Sequence, residues 1–366
     1  MKMKKALTLA LALVMVFSLC ACGSSSSATT DSSSADTSSS TSSSASTSSE
    51  TISLSLSHHD SSTSVIGTFL EDYAASINEA SGGLLDVTVY AGAALAAPAD
   101  GINALNSGVC DILWTCLGFF PGQFPVTELV TFPFNGLTSA VQGAYVMEDA
   151  WNTIEEVQAE WEAQGLHPLV LYTAPGSYLL STNEVDEIAD FQGNTYRCMA
   201  GIPTLMMEKL GATAVVTPSG DIFTSMEKDI IQGTVFDMAG AKGFSLYDVT
   251  NYVMDVCLYE QVLVILMTED RYQSLPAEAQ EALDSVSGFD AALKHAELYE
   301  IDSAEYIAQF AEAGRMVEVS DEAMAEFEAV GDEVAEEWMA SVDVENAAEI
   351  RDEFQALIDK YSEYAN

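Results

Sequence analysis

Arg197 is the first Lys or Arg after Lys5, so 191 consecutive residues carry no permanent cation. It stands in Asn194-Thr195-Tyr196-Arg197-Cys198-Met199, a strand-like segment with apolar neighbours rather than a solvated helix face. Two roles fit a guanidinium in that setting. It can pair structurally with one of the chain's many carboxylates, or it can present two parallel charge-assisted hydrogen bonds to a ligand carboxylate. The histidines are His58, His59, His167 and His295, and only His58-His59-Asp60 clusters. Neighbours in an extended segment point to opposite sides, so this run reads as a polar loop at a cleft edge, with His58 a candidate ligand contact and no metal site. Trp114, Phe119, Phe120 and Phe124 either line an apolar pocket or fill core; Trp114 and Phe119 are the pocket candidates.

Catalytic patterns are absent. No phosphate-binding loop, dinucleotide fingerprint, nucleophile elbow or H-E-x-x-H occurs. Acid pairs such as Glu155 and Glu156 abound, but adjacent helical residues cannot oppose one another across a cleft as a catalytic pair must. No catalytic residue is assigned and no cofactor is expected. Cys110, Cys116, Cys198 and Cys257 form no C-x-x-C pair and lie in apolar contexts, which suits buried free thiols; one disulfide is also compatible.

These residues need a frame. The 366 residues suit two domains, and a hydrophobic content of 48% with 19% charged residues supplies a sizeable core. With 56 acids against 12 Lys and Arg, the formal charge of −44 repels phosphate backbones and anionic headgroups. Nucleic acid is excluded as a partner, and membrane association must be covalent or by insertion. Lys2, Lys4 and Lys5 precede an apolar run from Ala6 to Cys20, which is too short to span comfortably and reads as a signal peptide over 1–21. Leu19-Cys20-Ala21-Cys22 resembles a bacterial lipobox, making Cys22 the lipid anchor, with ordinary cleavage and release as the other reading. Gly23 to Glu50 holds 16 serines in 28 residues, and a segment so poor in apolar side chains reads as a flexible tether over 22–50. Its mean reach is roughly 30 Å, from about 5 to 6 Å times the square root of length.

From Thr51 the periodicity alternates between strand and helix. Ile52, Leu54 and Leu56 alternate with serines as a first strand; Val65 to Ile77 repeat at helical spacing until Gly82-Gly83; Leu85, Val87 and Val89 alternate again. A short helix near Ala99 to Asn106, a strand near Cys110 to Thr115, a helix closed by Gly165 and a strand near Leu169 to Tyr172 follow. Further strands are expected near Tyr178 to Ser181, Thr195 to Met199 and Ala214 to Val216, with a helix near Thr204 to Leu210. Leu258 to Met267 is apolar and long enough to pass from one sheet to another, and beyond Pro276 the chain is mainly helical apart from Met316 to Val319. The expectation is α/β with two lobes, 51–173 plus 263–300 and 174–262 plus 301–366, a helical C-terminal region, and a ligand cleft at the strand carboxyl ends between the lobes.

Several segments between Ile52 and Asp284 are similar to the solute receptors of TRAP (tripartite ATP-independent periplasmic) transporters, the dicarboxylate-type extracytoplasmic family. Tyr90-Ala91-Gly92, Ser107-Gly108-Val109-Cys110-Asp111-Ile112 and Thr131-Phe132-Pro133-Phe134 fit its early elements. Asp190 to Arg197 fits its D-x-x-G-x-x-x-R segment. Leu210-Gly211-Ala212, Val216-Thr217-Pro218 and Ser274-Leu275-Pro276-Ala277-Glu278 fit later ones. The resemblance implies a two-lobed periplasmic-binding-protein-like fold, a small organic acid ligand held by Arg197, membrane permease subunits as partners, and a location at the outer face of the bacterial cytoplasmic membrane. Tyr178 lies where some members carry a second arginine, and Phe236-Asp237-Met238 replaces polar residues, which implies an apolar pocket with Tyr178 and Met238 at the ligand. Other readings are a receptor for an ATP-driven (ABC-type) permease, a secreted enzyme and a surface adhesin.

Overall fold

The structure, a computed structural model, describes residues 51–366; the expected signal peptide over 1–21, the expected anchor Cys22 and the expected tether over 22–50 lie outside the described residues. The chain opens with β1 (Ile52–Ser57), α1 (Val65–Ala80), β2 (Leu85–Tyr90), α2 (Gly101–Asn106) and β3 (Ile112–Cys116). Ser64 starts α1 by accepting a hydrogen bond from Gly67 N at 3.0 Å, and Ile66, Phe69, Leu70, Tyr73 and Ile77 make its buried stripe. Gly82 and Gly83 follow with φ of 59° and 85°, values that suit glycine, and turn the chain into β2. The helical stretch before Gly165 is two helices, α3 (Ala140–Thr153) and α4 (Glu155–Ala163), because Ile154 adopts an extended conformation between them. Then come β4 (Leu166–Thr173), β5 (Ser177–Ser181), β6 (Thr195–Arg197), α5 (Ile202–Lys209), β7 (Thr213–Val215), α6 (Ile222–Glu227), β8 (Gly233–Asp237), α7 (Met238–Gly243) and β9 (Tyr252–Met254). The remainder is β10 (Val262–Thr268), α8 (Glu269–Gln273), α9 (Ala277–Ser285), α10 (Gly288–Glu312), β11 (Met316–Val317), α11 (Asp321–Ser341) and α12 (Ala347–Lys360).

Two sheets make two α/β lobes. The first has the order β2-β1-β3-β10-β4, with β1 parallel to both neighbours and β10 antiparallel to β3 and β4. The second has the order β11-β9-β5-β8-β6-β7, with β6 parallel to β7 and β8. β10 is apolar along its length because both faces are covered. Val262, Val264 and Leu266 enter one core, while Leu263, Ile265 and Met267 enter the core beneath α1, α9 and α10.

The chain passes between the sheets three times: two antiparallel segments, β4 to β5 and β9 to β10, stay paired as they cross, and the stretch from β10 through α10 leads back to β11 of the second sheet. Ala174 N donates to Gln261 O at 2.8 Å, Ser177 N to Tyr259 O at 2.9 Å and Leu258 N to Ser177 O at 2.8 Å. Thr173 Oγ1 also donates to Glu260, tying the crossings through buried side chains. The long α10 packs on α3 and β4 of the first lobe and on α7 of the second; α11 lies on α5, and α12 returns to α3.

Candidate ligand-binding site

The parallel strands β1, β3, β6 and β8 turn their carboxyl ends toward one cavity of about 50 Å³, where an open α/β sheet places its ligand crevice. From the first lobe, the loop after β1 supplies His59 and Asp60, β3 supplies Trp114 and Cys116, and the turn beyond it supplies Phe119. The second lobe contributes Arg197 from β6, Ser219, and Phe236 with Asp237 from the end of β8. Gln261 enters from a crossing and Tyr299 from α10.

Arg197 is 1% exposed. Its Nε donates to Thr217 O at 3.1 Å, and Nη2 approaches Met199 Sδ at 3.3 Å and Ser219 Oγ at 3.4 Å. The guanidinium carbon lies 5.3 Å from the centre of the Phe236 ring. Among the described residues none of the ion pairs includes Arg197, whereas Lys209, Lys242, Arg271 and Lys360 each hold an acid. Burial lowers its pKa, as expected where charge is poorly solvated. These neutral contacts orient the fork without neutralising it.

The other ionisable groups behave as buried groups should. Burial, with smaller contributions from His58 and Arg197, pushes the His59 pKa down to about 3, so the ring is neutral at pH 7. Its centroid is 4.9 Å from those of both Trp114 and Phe119, forming an aromatic wall. Trp114 is held by donating from Nε1 to Tyr172 Oη at 2.9 Å. Burial, then the neighbouring Asp237, raises Asp60 to about 7; burial raises Asp237 to about 6 against the opposing hydrogen bond from Gly240 N at 2.6 Å.

Of the residues singled out by sequence, Arg197, Trp114 and Phe119 come together around this cavity, and His58, Tyr178 and Met238 are not in its wall. His58 is buried with both ring nitrogens unpartnered, and its neighbour His59 faces the cavity instead. Tyr178 sits opposite Phe236 in the β5–β8 ladder, and Met238 fills the core under α6 and α7. The four cysteines in the described residues are free thiols. Asp60, Asp237, Gln261 and Tyr299 had no assignment from sequence. The only signals were the polar run containing Asp60 and the altered stretch containing Asp237. A wider cavity of about 250 Å³ lies between Phe132–Asn135, α11 and α12, but its cation, Arg351, already faces the exposed Asp332 at 3.7 Å. The smaller cavity is chemically the more distinctive.

The model of the bacterial extracellular solute-binding proteins, family 7, matches residues 56–341. The chain belongs to this family. Its members are solute-binding receptors rather than enzymes. Among curated proteins, this family-7 chain is 24% identical over 224 residues to the outer membrane transporter protein TsaT of Comamonas testosteroni, a match covering 60% of the chain and 65% of that protein. It therefore spans slightly less than two thirds of that relative. A TRAP solute-binding protein from a marine metagenome, specific for aromatic acid ligands and crystallised with 3-hydroxybenzoate, has 22% identity and a TM-score of 0.78, covering 85% of this chain and 99% of its own. The sugar acid binding protein of Advenella mimigardefordensis, in complex with galactonate, has 16% identity and a TM-score of 0.76, with coverage of 85% and 99%. Such likeness establishes the two-lobed fold of the family-7 receptor, and two ligands so unlike on one backbone leave ligand choice to the side chains.

Proposed function

We propose that this receptor captures a small organic carboxylate between its lobes, with Arg197 gripping the carboxylate, and delivers it to the membrane subunits of a TRAP-type secondary transporter. The observation that carries this reading is a guanidinium 1% exposed, in the wall of an interlobe cavity, with no acid paired to it among the described residues. A fork held from behind by a carbonyl and a hydroxyl is prepared for bidentate contact with an incoming anion. The family match and the acids named for TRAP receptors of the same fold support the choice of ligand class. In this reading Cys22 carries a lipid, residues 23–50 tether the receptor, and the outer face of the cytoplasmic membrane is its station.

A thermal-shift screen of carboxylates, followed by calorimetry, tests the reading. A ligand at 100 times its Kd adds about 2.7 kcal/mol to stability. For the best acid found, Arg197→Ala is expected to weaken binding by about 2 to 3 kcal/mol, as when one member of a buried charged hydrogen-bond pair is truncated. Arg197→Lys should recover only part, because an ammonium keeps the charge and loses the fork. A folded Arg197→Ala protein that binds like the parent would overturn the assignment. Cys22→Ser should release the protein or leave an uncleaved precursor; a mature N-terminus beyond Cys22 in firmly membrane-bound protein would refute the anchor.

A further inference from the structure

The cavity that holds Arg197 also contains two carboxyl groups, one from each lobe. Asp60, in the loop after β1, is 7% exposed. No hydrogen bond among the described residues reaches its carboxyl group, and the nearest ionisable nitrogen, His59 Nε2 at 3.8 Å, belongs to a ring that burial keeps neutral. Asp237 has an ordinary structural duty, since its Oδ1 caps α7 through Gly240 N. Among the described residues neither carboxyl has a permanent cation at salt-bridge distance; Asp237 opposes the ionisation of Asp60, while Asp237 itself is eased by Gly240, Tyr299 and the more distant charge of Arg197. Buried carboxyls without a cation are costly unless something pairs with them.

A purely anionic ligand worsens this arrangement. It adds a third acidic group to a space with one guanidinium, inside a molecule with a formal charge of −44. A ligand bearing one negative and one positive centre matches both halves of the wall. Its carboxylate meets Arg197, and its cation meets the carboxyls. The aromatic wall of Trp114 and Phe119 suits the same task, because the negative face of a ring attracts a cation. Building on the carboxylate reading above, we propose that the cavity selects a zwitterion, an organic acid that also carries a positively charged amino or alkylammonium nitrogen, held by Asp60 and Asp237 from the two lobes.

The test is calorimetry on the full chain with matched ligands that keep shape and carboxylate but differ in the second group. The probes are phenylglycine, mandelate and phenylacetate; 3-(aminomethyl)benzoate, 3-hydroxybenzoate and benzoate; and glycine betaine with 3,3-dimethylbutanoate, the isostere that keeps the carboxylate but lacks the cation. The expected result is that, in a series that binds, the cationic member binds at least tenfold more tightly than its uncharged counterpart. Asp60→Asn should narrow that ratio by weakening the zwitterion and strengthening the simple acid, with Asp237→Asn acting likewise while retaining a side chain able to cap α7. Simple acids that bind as tightly as their cationic counterparts, in an Arg197-dependent manner, would overturn the zwitterion and leave the carboxylate reading standing. Silence across all three series and the wider carboxylate screen would overturn both. The parent's ligand ratios decide the matter even if a variant fails to fold.

Discussion

A guanidinium held by Thr217 O and Ser219 Oγ is paired with no acid among the described residues, and the carboxyl of Asp60 lies in the same cavity without a hydrogen bond of its own among those residues. The consequence for stability has a definite sign. Asp60 is raised to about 7 and Asp237 to about 6, from the usual 3.8. Below pH 4 both groups are protonated in folded and unfolded chains alike and contribute nothing. Between pH 4 and 7 the unfolded chain ionises first, so each group disfavours the folded state increasingly as pH rises, by at most about 1.4 kcal/mol per pH unit. Above that window the folded groups ionise too and the penalty levels off. The surrounding ionisable groups are His58 and His59 from the same loop, Cys116 from β3, Tyr172 from β4, Arg197 from β6 and Tyr299 from α10. Only the two imidazoles lie low enough to act in the opposite sense below about pH 6.5, and they are common to parent and variant. Ligand-free Asp60→Asn is therefore predicted to have a flatter urea-midpoint profile from pH 4 to 7 and to exceed the parent in stability at pH 8. Parallel profiles would show that Asp60 is already ionised in the folded protein.

At the scale of elements, the sequence patterns that carried furthest were those in which local periodicity and burial agree. β1, α1, β2 and the apolar run ending in β10 belong to this group, since alternation or helical spacing directly records which face is covered. β8 and β9 were not anticipated. Gly233-Thr234-Val235-Phe236-Asp237 begins with glycine and lacks clean alternation because it is an interior strand, with β5 on one side and β6 on the other. That omission also hid Asp237, one acid among 56, whose burial is created by tertiary packing. Choosing between His58 and His59 required the direction in which the chain leaves β1, which composition does not encode. Arg197 was legible because cations are so scarce, and Trp114 and Phe119 because aromatics cluster around β3. Close element packing also makes a prediction. A Cβ at Gly143 of α3 would lie 1.7 Å from Thr173 Oγ1 on β4, beside a crossing. Gly143→Ala should destabilise the protein by about 1 to 3 kcal/mol through overpacking. Gly220→Ala, where a Cβ meets nothing within 4 Å, should stay within about 0.5 kcal/mol of the parent by chemical denaturation. Equal midpoints for all three proteins would contradict the tight α3–β4 approach.

For the whole molecule, the geometry of the crossings decides which motion a ligand can drive. Two of the three connections between the sheets pass side by side through 173–177 and 258–262, paired by backbone hydrogen bonds and by Thr173 with Glu260, while the third runs through α10 to β11. A paired ribbon bends more easily than it shears, which favours rotation of one lobe against the other over sliding. The cavity wall draws Asp60, Trp114 and Phe119 from the first lobe and Arg197, Phe236 and Asp237 from the second, so a ligand touching both makes its full set of contacts only when the lobes are closed. It can shift the open–closed equilibrium only by its difference in affinity for the two states. The prediction is a smaller radius of gyration by small-angle scattering when the protein is saturated with its best ligand, measured on one preparation so that residues 1–50 contribute equally to both curves. Arg197→Ala, titrated to the same occupancy, should contract less, because one of the contacts joining ligand to the second lobe has gone. If the parent's scattering is unchanged at saturation, the ligand binds without closure, and the crossings are structural links rather than a hinge.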